Sequence, residues 1–582
     1  MQKNHDSAII NSTTGVKMEK ITNFYKEKTT ICNCILLTII TIIGWIVFKS
    51  HYCNILTDFG RELLFPEAVL KGNVLYKDIL CIYFPLAYQL NALAYLIFGA
   101  TVQTLEFCGL INITLFMLSF YLLSEEFLDK NLSFILATTV LISSGFNGSL
   151  FNMILPYSTG LTYGMTTSII AILFATKYIK TEKIYFITTA YLFCGIAFTF
   201  KGEFGLLLPV LMYLSIFGKP CKIKQNLLNI VSFIIIPIIS LGILLLQGLT
   251  INEIIIAADF MKRFFSTDSM IYHIKQTGGL FSPEKISLWT QCIINLTIFF
   301  GISFFLFAKT KGKKLFWASL IICAILLNFT KVWLHTCLIP ITLFVLLIAK
   351  FNSLRKNMPV FILTLSAIAL VSRMFWSLVL SIYGFYTAPV AVLTLLVLII
   401  EYMPENEKLS IDNLKKFCIF ALSSYLIYFL AFDIYQRQTN NTKISTEKGT
   451  IYMPQKEAET FNNVIKYIFE NTEKGQKVLI LQEGMAINFL TDRKVDMNMP
   501  MIDRLYFEAM DKNEIVTNLK KSNYDVIFIV EGFGLTRFGK PYLYGSDNVI
   551  LRYIFENYDL EWQNNFVKKR IENHLYCLRK RQ

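Results

Sequence analysis

Apolar runs long enough to cross a bilayer recur along this chain as far as residue 434 and then stop. A membrane helix needs roughly 20 predominantly apolar residues. Runs of that kind lie at 31–49, 104–123, 132–150, 161–176, 184–200, 204–217, 227–247, 286–308, 315–329, 336–349, 359–380, 384–402 and 417–434. That makes about thirteen spans. A composition of 54% hydrophobic and 16% charged residues over 582 positions is far too apolar for a soluble chain of this length. The sequence therefore predicts a polytopic α-helical membrane protein.

Lysine and arginine in short loops mark the cytoplasmic side. Lys17, Lys20, Lys26 and Lys28 precede the first run. Further clusters follow at Lys177/Lys180/Lys183, Lys219/Lys222/Lys224, Lys309/Lys311/Lys313/Lys314, Lys350/Arg355/Lys356 and Lys408/Lys415/Lys416. These loops face inward, so residues 1–30 are a cytoplasmic tail and 31–434 the membrane domain. Residues 50–103, 151–160, 248–285 and everything from 435 to 582 then lie outside. The net charge of +14 is accounted for by inner-loop cations over anionic headgroups, without any nucleic acid. The first run ends in FKSHYC without a small-residue cleavage site and reads as an uncleaved signal anchor. A bacterial-type plasma (inner) membrane is the expected location. The 12 cysteines form no CxxC pair and no metal-spaced cluster, although Cys53 and Cys81 share an outer loop where a disulfide is permitted.

The first outer loop opens TDFGRELLFPEAVLKG, a helix pattern over 58–71 stopped by Gly72 and expected on the membrane surface. Asp58 heads it as a cap, and Arg61 and Glu62 follow at i+3 and i+4. Taken alone, this is a capped, internally paired helix. The loop continues through Tyr76-Lys77-Asp78 to Pro85, which opens a second apolar helix, LAYQLNALAYLIFG, too short to span. The fifth run ends GIAFTFKGEFGLLLP, with Lys201 at its outer boundary, where a lone lysine snorkels to the headgroups.

This order of elements resembles the GT-C superfamily of membrane glycosyltransferases, in particular the dolichyl-phosphate-mannose protein mannosyltransferases and the lipid A aminoarabinose transferases. Members open this loop with an Asp, followed by a small-residue stop, a Tyr-x-Asp-like turn, a proline and a juxtamembrane helix ending in Phe-Gly. Phe200-Lys201-Gly202 is similar to the family's Thr-Lys-Gly signature, with phenylalanine in place of threonine. Arg373 with YGFYTAP at 383–389 is similar to outer-side motifs of bacterial relatives that use polyprenyl-phosphate sugars. The resemblance implies an extracytoplasmic sugar transfer from a polyprenyl phosphate to a lipid, glycan or protein acceptor, with Lys201 on the donor phosphate.

The residue types suit that chemistry. A polyprenyl phosphate departs as a stabilised anion and calls for cations rather than a protonating acid. An acceptor hydroxyl must lose its proton, so one carboxylate near the anomeric carbon suffices as base, and a single displacement inverts the configuration. Asp58 is expected as the base. Arg61 is expected to join Lys201 on the phosphate or to orient Asp58. Among the other outer cations, Lys262, Arg263, Lys331 and Arg373, belt anchoring beside aromatic residues explains most. Arg263 is taken as a secondary phosphate ligand because its loop is long and polar, and Arg373 is a further candidate. Glu62 and Asp78 would serve a retaining two-carboxylate scheme or a divalent metal. The second outer loop, NMILPYSTGLTYG, carries no acidic residue, which argues against a metal, and no cofactor is expected.

From 435 onward the composition turns ordinary. Helix patterns at 455–471, 512–521 and 546–557 alternate with buried-strand patterns in KVLILQ and YDVIFIV, and HLYCLRK reads as an edge strand. This predicts a small extracytoplasmic α/β domain with no GxGxxG, P-loop or nucleophile elbow. The rivals to a transferase are a transporter or lipid flippase, which would carry midplane charges and an internal repeat, and a lipid-linked glycan polymerase or ligase.

Overall fold

The computed structural model describes residues 28–52, 59–147, 152–277, 285–310, 312–375, 380–402, 410–481, 484–531, 548–568 and 571–581. Among them, seven helices are long and apolar enough to cross a membrane: Lys28–Phe48, Val102–Glu125, Thr159–Thr181, Ile223–Leu246, Ile286–Lys309, Val332–Ala349 and Ile411–Thr439. The other predicted runs fall on shorter helices, among them Ile184–Phe200, Gly202–Gly218, Met358–Met374 and Tyr386–Tyr402. Several are shortened by tighter or looser turns, a 3₁₀ turn at Gly202–Leu206, another at Ser372–Phe375, and a π-turn at Leu141–Gly145. Such breaks occur in membrane proteins where backbone is enclosed by protein rather than lipid.

The first outer loop forms the two expected helices, Phe59–Leu70 and Leu86–Phe98. Gly72 adopts a positive φ of 94°, which ends the first helix as the sequence requires. Its placement differs from expectation. The helix is not an exposed element: every residue from Phe59 to Ala68 is buried. The C-terminal domain covers it, and a Cβ on Gly60 would sit 2.2 Å from the Ala486 backbone nitrogen. Only glycine permits that approach.

The C-terminal domain begins where the last membrane helix ends at Thr439. A hairpin of β1 (Thr442–Thr446) and β2 (Gly449–Met453) leads into the helix Gln455–Asn471, whose apolar stripe buries Phe461, Val464 and Ile468. Strands β3 (Val478–Leu481), β4 (Val526–Glu531), β5 (Tyr558–Lys568) and β6 (Ile571–Lys580) form one sheet in the order β3-β4-β6-β5. The pair β3/β4 is parallel and the others are antiparallel. HLYCLRK is therefore not an edge: as part of β6 it lies between β4 and β5. The edges are β3 and β5; the many polar residues of β5 disguise it as a loop, and polar edge strands resist unwanted pairing.

Backbone hydrogen bonds fasten this domain to the outer loops. Val102 N–H donates to Lys448 O at 2.9 Å, Tyr452 N–H to Ser50 O at 2.8 Å, and Leu80 N–H to Met497 O at 2.9 Å. The hairpin thus seats on the N-terminal end of the helix Val102–Glu125.

Candidate functional site

The helix Ile184–Phe200 stops at Lys201, whose extended backbone (φ −161°, ψ 122°) turns the side chain off the helix axis. The 3₁₀ turn Gly202–Leu206 follows, and it is pinned: a Cβ on Gly202 would meet the Phe84 ring at 2.8 Å. Lys201 and Glu203 therefore project from a fixed turn into a cavity of about 590 Å³. The first outer loop supplies one wall with Tyr83 and Tyr88, and the start of the helix Thr159–Thr181 supplies another with Tyr157 and Ser158. Arg373 enters from the turn Ser372–Phe375.

Two short amphipathic helices, Ile251–Phe265 and Asp268–Thr277, strap the remaining side, contributing Met261, Phe264, Met270 and His273. The first begins with a reciprocal Thr250/Glu253 capping box. The C-terminal domain closes the cavity with Met501, Asp503, Leu505 and Tyr506. Strap and domain are joined: Ser269 N–H and Oγ donate to Glu508 at 2.9 and 2.7 Å, and Tyr506 packs on Phe260 and Phe264 at 5.6 and 5.2 Å between centroids.

Three charged side chains share the cavity. Arg373 donates to Glu203 Oε2 at 2.8 Å, and Lys201 Nζ lies 3.7 Å from Glu203 Oε1. Enclosure in the cavity pushes the Lys201 ammonium down to about 7; Glu203 opposes that shift, and Arg373 and Arg61 add to it. The lysine is thus poised to gain charge when an anion arrives. Asp503 also lines the cavity, but its Oδ1 accepts from Leu505 and Tyr506 N–H, both at 2.9 Å, and caps the helix Arg504–Ala509.

An apolar cavity of about 280 Å³ adjoins this one, walled by Phe198, Pro237, Leu241 and Leu244 from the membrane helices. The two share Ile82, Tyr83, Phe84 and Met261 as a common partition.

The other expected site residues fall elsewhere. Asp58 and Cys53 lie outside the described residues. Arg61 is fully buried behind the wall: it donates to Glu62 Oε1 (3.0 Å), the Tyr83 hydroxyl (2.7 Å) and Tyr157 O (2.6 Å), and its guanidinium stacks 4.0 Å from the Tyr83 ring. Glu62 accepts in addition from the Tyr88 hydroxyl at 3.2 Å and Thr159 N–H at 2.9 Å. The pair thus props up Tyr83, Tyr88 and Tyr157 rather than facing open volume. Asp78 accepts from Val74 N–H at 2.9 Å, closing a turn that borders a separate cleft.

Arg263 is not among the residues lining the cavity. It bonds Asp259 (3.1 Å) and Ala509 O (2.8 Å), because its helix presents Met261 and Phe264 inward and Arg263 to the C-terminal domain. Glu203 escaped the sequence reading, although its place two residues after Lys201 at the end of an apolar run was a usable signal. Tyr83 and Tyr157 carried no such signal.

No protein-family model and no curated protein matches this sequence. Among solved structures, ArnT from Cupriavidus metallidurans bound to undecaprenyl phosphate is similar over 93% of this chain and 97% of that chain, with a TM-score of 0.53 at 10% identity. The oligosaccharyltransferase AglB from Archaeoglobus fulgidus, in complex with an inhibitory peptide and a dolichol-phosphate, is similar over 88% of this chain and 70% of that chain, with a TM-score of 0.47 at 13% identity. The likeness to ArnT shows that the two chains share a fold over nearly their whole lengths.

Proposed function

We propose that this chain is a membrane glycosyltransferase that moves a sugar from a polyprenyl-phosphate donor to an acceptor on the outer face of the membrane, with inversion. The observation that carries the reading is the pairing of two cavities: a polar one holding Lys201 and Arg373, and an apolar one sharing its partition and walled by membrane helices. A phosphate attached to an isoprenoid chain has that same division. In a solved structure of the same fold, ArnT is bound to undecaprenyl phosphate.

In this reading Lys201 and Arg373 take the donor phosphate and stabilise the charge that grows on it as the sugar departs, so side chains supply the positive charge. Arg61 acts from behind, holding Tyr83 and Tyr157 in place. Asp58, one residue before the buried helix Phe59–Leu70, takes the acceptor's proton. The C-terminal domain and strap exclude water, which would otherwise compete with the acceptor.

The test is transfer of radiolabelled sugar from a panel of polyprenyl-phosphate donors, in membranes carrying matched amounts of wild type or Asp58→Asn. The expected outcome is transfer by wild type and a loss of about a hundredfold or more in the variant, the scale of a general base. Equal transfer by Asp58→Asn would reduce Asp58 to a helix cap. No transfer from any donor by wild type would remove the reading and favour a carrier of lipid or solute.

A further inference from the structure

Resting on the donor reading above, we infer that Glu203 is a resident counter-ion that occupies the phosphate's place in the empty enzyme and is displaced by the donor. Its two carboxylate oxygens are divided between the two cations: Oε2 toward Arg373 at 2.8 Å and Oε1 toward Lys201 at 3.7 Å. A bridging phosphate would use the same two positions. All three side chains line the 590 Å³ cavity, and each remains partly open to it, 16% for Lys201, 24% for Glu203 and 28% for Arg373.

The backbone beneath Glu203 is held by Gly202 against Phe84, so the exchange needs only rotation of the glutamate side chain. The sugar-bearing donor is a phosphodiester whose single negative charge matches that of the carboxylate it replaces, and the polyprenyl phosphate left after transfer is a monoester with up to two negative charges and three acceptor oxygens. The carboxylate in turn keeps Lys201 from standing as an uncompensated, enclosed ammonium while the site is empty. Glu203 is thus a positioning residue: it holds the cations ready and gives them up.

Displacement and permanent organisation predict opposite signs. If Glu203 competes with phosphate, its removal tightens donor binding; if it must stay to orient Lys201 and Arg373, its removal weakens binding. The experiment measures binding of undecaprenyl phosphate to the full chain in lipid nanodiscs, at about pH 6 so that Lys201 is charged. Lys201→Ala and Arg373→Ala are expected to weaken binding at least tenfold, which tests the donor reading by itself.

Glu203→Gln is expected to bind about tenfold more tightly than wild type, the gain for a site that stands open about a tenth of the time. Unchanged or weaker binding by Glu203→Gln overturns the exchange while leaving the donor reading intact. Glu203→Asp, charged but shorter, is expected between wild type and Glu203→Gln, and it decides the sign should the glutamine variant fail to fold. Wild type that binds no undecaprenyl phosphate overturns the donor reading and the exchange with it.

Discussion

Two clusters of charge stand a few side chains apart in this protein, and they are built in opposite ways. In the Arg61–Glu62 cluster the side chains are 0% and 3% exposed, and every partner named for them is a fixed wall residue of the first or second outer loop. In the Lys201–Glu203–Arg373 cluster one carboxylate is stretched between two cations, and all three face open volume. A buried, fully bonded ion pair specifies geometry and has no valence left for a ligand. A partly satisfied one keeps its charge available. The difference separates scaffold from site more surely than the identity of the residues does, since both clusters contain a cation within two residues of a glutamate in sequence.

That contrast can be broken most directly at Glu62. Glu62→Ala leaves Arg61 charged, buried and missing its carboxylate, and is expected to cost about 3–5 kcal/mol of stability. Thermal or denaturant melts in detergent would check it; a variant as stable as wild type would show that the first cluster is not scaffold. Lys201→Ala should behave inversely, melting like wild type while transfer falls by about 10² to 10³.

The same lysine carries a pH signature. Its value is about 7 with no phosphate bound, and a bound phosphate raises it, so between those two values the complex holds one more proton than its parts. Affinity for undecaprenyl phosphate is therefore expected to fall by roughly tenfold per unit above about pH 7, where the phosphate's own second ionisation, at about 6, is largely complete. Titrated binding would reveal the slope, which should vanish in Lys201→Ala. The smallest effect is expected at Arg263. Its side chain is 48% exposed, and its ion pair with Asp259 is worth under about 1 kcal/mol. Arg263→Ala should change donor affinity less than about threefold; a loss as large as that of Lys201→Ala would return Arg263 to the phosphate.

Much of the fold was legible because hydrophobic periodicity is strong in membrane helices. The helices Phe59–Leu70 and Leu86–Phe98 came out within a residue or so, since Gly72 and Pro85 punctuate them. What periodicity does not encode is what covers a helix. The close approach of Gly60 to Met485 and Ala486 comes from more than 400 residues away, and no local pattern announces that contact. Strand β5 was missed because edge strands tolerate polar residues, and β6 was misplaced because a short alternating run looks alike at an edge or inside.

At the site, Lys201 was singled out by its position at a span end, and it lines the cavity. Arg263 was expected beside it because a long polar loop was taken for one that folds over the site, whereas an amphipathic helix has two faces and Arg263 is on the one that meets the C-terminal domain. Arg61 read as a ligand because sequence shows charge without showing its partners.

The cavity's final wall, Met501, Asp503, Leu505 and Tyr506, has a consequence for how the protein is made. These residues leave the ribosome after every membrane helix has been synthesised. Until they arrive, the helix Phe59–Leu70 lacks the helix Met485–Thr491 that packs on it, and Lys201 and Arg373 stand without a roof. A growing chain thus inserts all of its membrane part before it has an enclosed site. A chain clipped short of its last domain is an exposed apolar surface, of the kind that is triaged by proteases.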